Sequence, residues 1–134
     1  MRHISEIILH CTATPRGRQV TVADIDRWHR ARGWAGIGYH YVVCLDGSIH
    51  PGRPIERIGA HCSGHNSNSI GIVYAGGVET DGTTPADTRT PAQRKAIHTL
   101  VKSLLTRFPE ATGHGHSEFS AKACPCFDVR LEFS

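Results

Sequence analysis

The sequence EIILHC, residues 6–11, is the first apolar run of the chain, and it ends in a histidine and a cysteine. An uninterrupted apolar run of this length is typical of a strand that is buried on both faces. The turn residues Thr14, Pro15 and Gly17 follow and should end the element. We therefore predict a buried strand over 6–11, with His10 at its end.

Two helices are predicted from their capping residues. Thr21 with Asp24 resembles a capping box, and Ile25, Trp28 and His29 recur at helical spacing, which predicts a helix over about residues 22–32.

The second helix has the clearest sequence signal in the chain. It should begin after Thr90, with Pro91 at its first position and Gln93 completing a capping box. The proline that follows Phe108 should end it. Its apolar residues form one stripe that should face the core: Ile97, Leu100, Val101, Leu104, Leu105 and Phe108.

Further strands are predicted between and around the helices. Residues 39–45 (YHYVVCL) are rich in aromatic and β-branched residues, the Asp-Gly pair at 46–47 is typical of a hairpin turn, and a return strand should begin at 48–50. Residues 69–75 (SIGIVYA) predict another buried strand, whereas 76–89 has the composition of a surface loop. Strands and helices thus interleave, which predicts an α/β fold: one domain over 1–134, with a central mixed β-sheet flanked by helices.

Composition excludes several classes of protein. A chain of 134 residues can bury a core without disulfides, and a net charge of +3 without a Lys/Arg run favours neither a nucleic-acid groove nor a membrane-binding patch. The apolar run near the N-terminus is too short for a signal peptide or a transmembrane span. We expect synthesis in the cytoplasm without an export signal, a monomer, and no nucleic-acid partner.

The cysteine and histidine content points to metal binding. The five cysteines are odd in number and scattered, so a disulfide framework is improbable, whereas reduced thiols that bind metal fit better. Ten histidines are more than average composition supplies. The number of cysteines and histidines is therefore compatible with a metal site, although we expect most of these side chains not to bind metal.

Residues 113–128 (GHGHSEFSAKACPCFD) are the leading metal-binding candidate, because they contain two histidines and two cysteines. Imidazole and thiolate are ligands that Zn²⁺ takes, and a catalytic zinc site leaves one position for water. We interpret the segment as a loop that folds back around an ion, with a third ligand from elsewhere. His10 is the leading candidate for that ligand; a hydrogen-bonded core histidine is the alternative. By residue type alone, either histidine and either cysteine of the segment could serve.

Four motifs in the same order resemble the type 2 N-acetylmuramoyl-L-alanine amidases, a zinc-dependent family that includes amidase-type phage lysozymes and is related to the peptidoglycan recognition proteins. They are ILHCTAT at 8–14, GYHY at 38–41, AHCSGHNSNSIGI at 60–72 and HSEFSAKACPCFD at 116–128. The resemblance covers nearly the whole chain. Each motif alone is weak, whereas four at family-like spacing are specific.

The resemblance implies a ligand set and a catalytic pair. His10, His116 and Cys124 would bind Zn²⁺, and Tyr39 and Lys122 would be catalytic. By the family spacing, His114 and Cys126 would be dispensable for zinc. The division of roles between the phenol and the ammonium stays open, because either can donate or pass a proton.

Each implied residue also has an ordinary alternative. Tyr39 could be a sheet aromatic, Lys122 a solvated loop charge, and Cys124 a small buried apolar residue. The resemblance implies that His61 and Asn66 bind substrate in a glycan-peptide groove, whereas turn-forming hydrogen bonds within their loop are the alternative.

The resemblance implies hydrolysis of the amide bond between N-acetylmuramic acid and L-alanine in peptidoglycan, as in an endolysin that reaches the cell wall after release. A non-catalytic peptidoglycan-binding module is the first alternative; such modules typically lack the cysteine ligand. A nucleic-acid-binding zinc module is disfavoured by the absence of paired Cys/His finger spacing and of a basic stripe.

Overall fold

The computed structural model describes residues 1–133. In chain order, the elements are β1 (Glu6–Cys11), β2 (Thr14–Pro15), α1 (Val22–Ala31), β3 (Tyr41–Val43), β4 (Ile49–Pro51), β5 (Ser69–Tyr74), β6 (Gly77–Val78), α2 (Pro91–Arg107), β7 (Thr112–Gly115) and α3 (Val129–Phe133).

Five strands form one mixed sheet in the order β4-β3-β5-β1-β7. Strand β1 pairs in parallel with both β5 and β7, and β3 continues the parallel part from β5. The hairpin predicted around the Asp-Gly pair adds β4 antiparallel to β3, at the edge of the sheet. Parallel strands are covered on both faces, which explains why β1 and β5 read as continuous apolar runs.

The helices cover opposite faces of this sheet. Ile97 and Val101 of α2 pack with Ile7 and Leu9 on one face, and Ile25 of α1 joins the buried cluster on the other face. Both capping boxes form as predicted, at the start of α1 and of α2. The predicted α/β fold with a central mixed sheet flanked by helices is confirmed.

Three predictions about local structure need correction. The strand predicted over 39–45 is shorter, so that Tyr39 lies in the loop that leads into β3. The loop predicted at 76–89 lies on the surface only in its middle, because β6 pairs with β2 and is buried. The segment 113–128 begins as strand β7 and not as a loop. Its glycines and histidines carry no strand signal, and pairing with β1 determines the conformation.

A buried arginine fastens the C-terminal helix to the rest of the fold. The Arg89 side chain is almost fully buried and forms ion pairs of 2.9 Å with Asp87 and with Glu132 of α3. Its guanidinium carbon also lies 3.4 Å from the ring centre of Phe127. Two carboxylates and an aromatic face therefore compensate the burial of this charge.

Candidate active site

Three potential metal ligands meet at the carboxyl end of the parallel strands. The donor atoms of His10, His116 and Cys124 all lie within 4.8 Å of one another. Leu9 of β1 pairs with Gly115, the last residue of β7, so His10 of β1 and His116, which directly follows β7, lie side by side. Their ring centres are 4.6 Å apart. Strand register therefore brings together two histidines that are more than a hundred residues apart in sequence.

Cys124 reaches the same point from the loop after β7. The neighbouring Cys11 thiol, together with the main-chain N–H of Cys11, which donates to the Cys124 sulfur over 3.1 Å, holds the pKa of the Cys124 thiol below its ordinary value. The loop is fixed on both sides, because Ser117 N–H donates to the Cys124 carbonyl (2.7 Å) and the Tyr74 hydroxyl to the Pro125 carbonyl (2.7 Å). The surroundings thus hold the sulfur at a fixed position and make the thiol easier to deprotonate.

The two histidines are held in the form that binds metals. Burial, with contributions from His61, His116 and Lys122, keeps the pKa of His10 well below its ordinary value. Burial and the Lys122 charge likewise lower the pKa of His116. Metal ions bind neutral imidazole and thiolate, so all three side chains suit ligation, and a set of two nitrogens and one sulfur fits Zn²⁺.

Of the three side chains, His116 lines a cleft of about 450 Å³. Residues predicted to act on or bind substrate line it: Tyr39, Lys122, His61 and Asn66. Burial raises the pKa of the Tyr39 phenol, so this group keeps its hydrogen at neutral pH. A separate cavity of about 410 Å³ between α1 and residues 52–58 contains none of these groups.

His61 and Asn66 also have local roles. The Asn66 side-chain oxygen accepts hydrogen bonds of 2.9 Å from the main-chain N–H groups of His61 and Cys62, so the turn-forming hydrogen bonds predicted as the alternative are present. His61 Nδ1 lies 2.8 Å from His10 Nε2. Burial lowers the pKa of His61 to about 3, so its ring is neutral beside His10. Substrate binding by these two residues stays a prediction.

The neighbouring histidine and cysteine point elsewhere. His114 lies 2.9 Å from Glu118 and 2.7 Å from the Thr112 hydroxyl. The Cys126 thiol donates to the Gly77 carbonyl over 3.3 Å. Within residues 1–133, the group of close metal-ligand atoms includes neither residue.

Sequence reasoning missed several residues that line the cleft: His29, Arg32, Trp34 and Ser63. In the sequence, His29 only follows the helical spacing of Ile25 and Trp28. Its ring is buried, and its Nδ1 accepts a hydrogen bond of 2.8 Å from the Gly38 N–H. The sequence offered only an indirect signal for this contact: Gly38, the partner of His29, directly precedes Tyr39 in one of the family motifs.

None of the helices described within residues 1–133 is both long enough and apolar enough to cross a membrane.

Comparison with known proteins gives a consistent result. The family described as N-acetylmuramoyl-L-alanine amidase matches residues 1–127. The endolysin of Escherichia phage T7 is 38% identical over 124 residues, which is 92% of this chain and 82% of that protein. Peptidoglycan-recognition protein SC2 of Drosophila melanogaster is 30% identical over 132 residues, covering 92% of this chain and 68% of the relative.

Among solved structures, the N-acetylmuramoyl-L-alanine amidase LysC from Clostridium intestinale superposes with a TM-score of 0.81 at 28% identity, covering 98% of this chain and 82% of that one. The resemblance seen in the sequence motifs is confirmed, and the chain belongs to the N-acetylmuramoyl-L-alanine amidase family of hydrolases.

Proposed function

We propose that this protein is a zinc-dependent peptidoglycan amidase that cleaves the bond between N-acetylmuramic acid and L-alanine. The observation that carries the proposal is the convergence of His10, His116 and Cys124, of which His116 lines the same cleft as Tyr39 and Lys122. The endolysins and the amidase among its relatives support the same reaction and the cell wall as the place of action.

His10, His116 and Cys124 would hold the zinc ion and leave a position open. Bound there, Zn²⁺ polarises a carbonyl oxygen and lowers the pKa of a water molecule to roughly 7. The main-chain N–H of Cys11 would keep its hydrogen bond to the Cys124 sulfur, and such partners of ligands typically affect metal affinity about 10- to 100-fold.

Tyr39 and Lys122 would stabilise the charge that develops on the amide oxygen. The raised pKa of Tyr39 favours a phenol that donates a hydrogen bond over one that accepts a proton. Lys122 lines the same cleft and would place a positive charge near that oxygen, a contribution that is typically about 3 kcal/mol for one donor. His61 and Asn66 would line the part of the cleft that receives the glycan-peptide substrate.

A non-catalytic peptidoglycan-binding module is the second candidate, favoured by the similarity to a recognition protein. The presence of Cys124 beside two histidines argues for the enzyme, since binding alone does not need a complete ligand set.

The test is mass spectrometry of purified peptidoglycan after incubation with the protein, with zinc added or removed by a chelator. The enzyme should release free stem peptides only when zinc is present, and Cys124→Ala should abolish release. Intact glycan-peptide linkages after incubation with the zinc-loaded protein would reject the proposed activity.

The zinc content of purified variants distinguishes the proposed ligands from the neighbouring histidine and cysteine. His114→Ala and Cys126→Ser should retain about one zinc per chain, because their side chains bond to other groups. Cys124→Ala should lose it. Loss of zinc from either neighbour variant would overturn the proposed ligand set. We also propose that the protein acts as a monomer, which gel filtration of the zinc-loaded protein tests.

A further inference from the structure

His29 lies on α1, outside the group of potential metal ligands, yet it borders the cleft. Its side chain is buried, with 5% of its surface exposed. The buried hydrogen bond of 2.8 Å from Gly38 N–H to His29 Nδ1 joins the helix to the loop that carries Tyr39. His29 is therefore placed to act on the cleft through its neighbours.

The geometry defines the tautomer of this imidazole. Because Nδ1 accepts a hydrogen bond from a main-chain N–H, the ring hydrogen must lie on Nε2. Burial, with smaller contributions from Arg32 and Arg53, lowers the pKa of His29 to about 4, so the ring is neutral at neutral pH. Nδ1 can therefore accept this bond over the whole neutral range.

The stretch held by His29 is the main chain on which Tyr39 sits. On the other side of this stretch, the Gly38 carbonyl accepts from Ala60 N–H (3.1 Å) and the Tyr39 carbonyl from Arg53 N–H (2.9 Å). Gly38 must be glycine here, since a Cβ would lie 2.2 Å from the Ala60 carbonyl oxygen. The peptide is thus clamped between two loop amides and one imidazole.

The His29 ring also contacts the aromatic side chains of the cleft. Its centre lies 5.4 Å from that of Tyr39 and 4.6 Å from that of Trp34. The same imidazole therefore fixes the peptide before Tyr39 and packs against the Tyr39 ring. Packing alone would need an aromatic ring in this place, but not a nitrogen directed at the Gly38 amide.

We propose that His29 is a positioning residue for Tyr39, acting through the hydrogen bond from Gly38 N–H to its Nδ1. This inference rests on the proposed function in one respect, namely that Tyr39 acts on the substrate. Misplacement of a reacting group by about 1 Å can reduce a rate about 100-fold. Loss of the bond should therefore lower kcat about 10- to 100-fold, while KM changes by less than about twofold.

Two substitutions distinguish the role of Nδ1 from that of Nε2 in the His29 ring. The Oδ1 of His29→Asn can take the place of Nδ1 as acceptor, whereas His29→Gln offers its amide at the position of Nε2. We expect His29→Asn to retain kcat within about threefold and His29→Gln to show the loss. Equal losses in both variants, no loss in either, or the reverse order would overturn the proposal.

A double-mutant cycle with Tyr39→Phe tests whether His29 acts through the phenol. His29→Gln should lower kcat in the wild-type background and have little further effect in Tyr39→Phe, because residues that act as one unit are not additive. A loss that persists in Tyr39→Phe would overturn the proposal. If Tyr39→Phe alone retains full activity, the proposed catalytic role of Tyr39 fails, and the inference built on it fails with it.

Nuclear magnetic resonance of the zinc-free protein gives a readout that does not depend on activity, and its wild-type measurement does not depend on the folding of a variant. In the wild type, the Nδ1 resonance of His29 should be that of an unprotonated nitrogen, and the Gly38 amide proton should be shifted by its hydrogen bond. The Gly38 shift should persist in His29→Asn and disappear in His29→Gln. A protonated Nδ1 in the wild type would refute the inference whatever the variants do.

Discussion

Gly71 of β5 and Gly113 of β7 lie in the two strands that flank β1, but a methyl group would meet different surroundings at the two sites. A Cβ at Gly71 would lie 2.6 Å from two ring carbons of His61 and 2.8 Å from its Nδ1. At Gly113, the nearest atom is the Cβ of Phe133 at 3.4 Å, an ordinary contact. The pair therefore tests whether the absent side chain of Gly71 provides the space for the His61 ring.

The expected magnitude follows from these distances. To restore a contact of about 3.6 Å, the His61 ring must retreat by about 1 Å, and overpacking of this kind costs about 1–3 kcal/mol. A shift of that size would also stretch the 2.8 Å contact between His61 and His10 beyond hydrogen-bond length, with a further loss of about 1 kcal/mol. We expect Gly71→Ala to lower the free energy of unfolding by about 2–4 kcal/mol in total.

The assay is urea unfolding of the zinc-free proteins, followed by circular dichroism. Gly113→Ala is the matched control and should remain within about 0.5 kcal/mol of the wild type. Hydrolysis of peptidoglycan should fall at least about tenfold in Gly71→Ala, since His61 and its neighbour His10 are displaced. Equal free energies of unfolding for the two variants would refute the reasoning.

Three further predictions concern the core, the pH dependence and the metal. Gln93→Leu should lower the free energy of unfolding by about 1–3 kcal/mol in urea titrations, because the buried Ala75 carbonyl loses the side-chain amide that donates to it over 3.0 Å. The control Lys95→Met, on the exposed face of the same helix, should have almost no effect. Burial lowers the pKa of His40 to about 4, below the value near 6.5 in the unfolded chain. The unfolded state therefore takes up the proton first, and the free energy of unfolding should fall by about 3 kcal/mol as the pH decreases between these two values. In unfolding experiments at a series of pH values, His40→Asn should show a weaker dependence on pH. Zinc at about 100 times its dissociation constant should add about 2.7 kcal/mol of stability in thermal unfolding, and Cys124→Ala should remove this gain, whereas an equal gain in that variant would contradict the ligand assignment.

The sequence predicted correctly those helices and strands whose local residue pattern favours the same structure as their packing in the fold. Strand β1 and the starts of α1 and α2 match their predictions because buried apolar runs and capping boxes are local signals. Strand β7 gave no such signal: its backbone is extended because β1 offers a partner, not because its side chains prefer a strand. Its prediction as a loop was therefore wrong.

The candidate active site likewise contains residues that the sequence could predict and residues that it could not. The family motifs named His10, His116 and Cys124, and the structure brings these three together. The sequence could not reveal that Gln93 bonds to the ends of two strands, or that His29 binds a loop amide, since both contacts depend on how elements pack. Polar side chains buried at such junctions look like ordinary helix residues in a linear pattern.

The arrangement of the potential ligands divides the chain into two complementary halves. His10 lies before the exposed loop at residues 80–85, whereas His116 and Cys124 lie after it. A single cut in that loop would give one fragment with β1 and β5, and another with α2 and β7. Neither fragment alone holds the full set of donors, so zinc binding would require that the two pieces reassociate along the β1–β7 pairing. Metal uptake by the mixed fragments would then serve as a direct signal of strand pairing between separate chains.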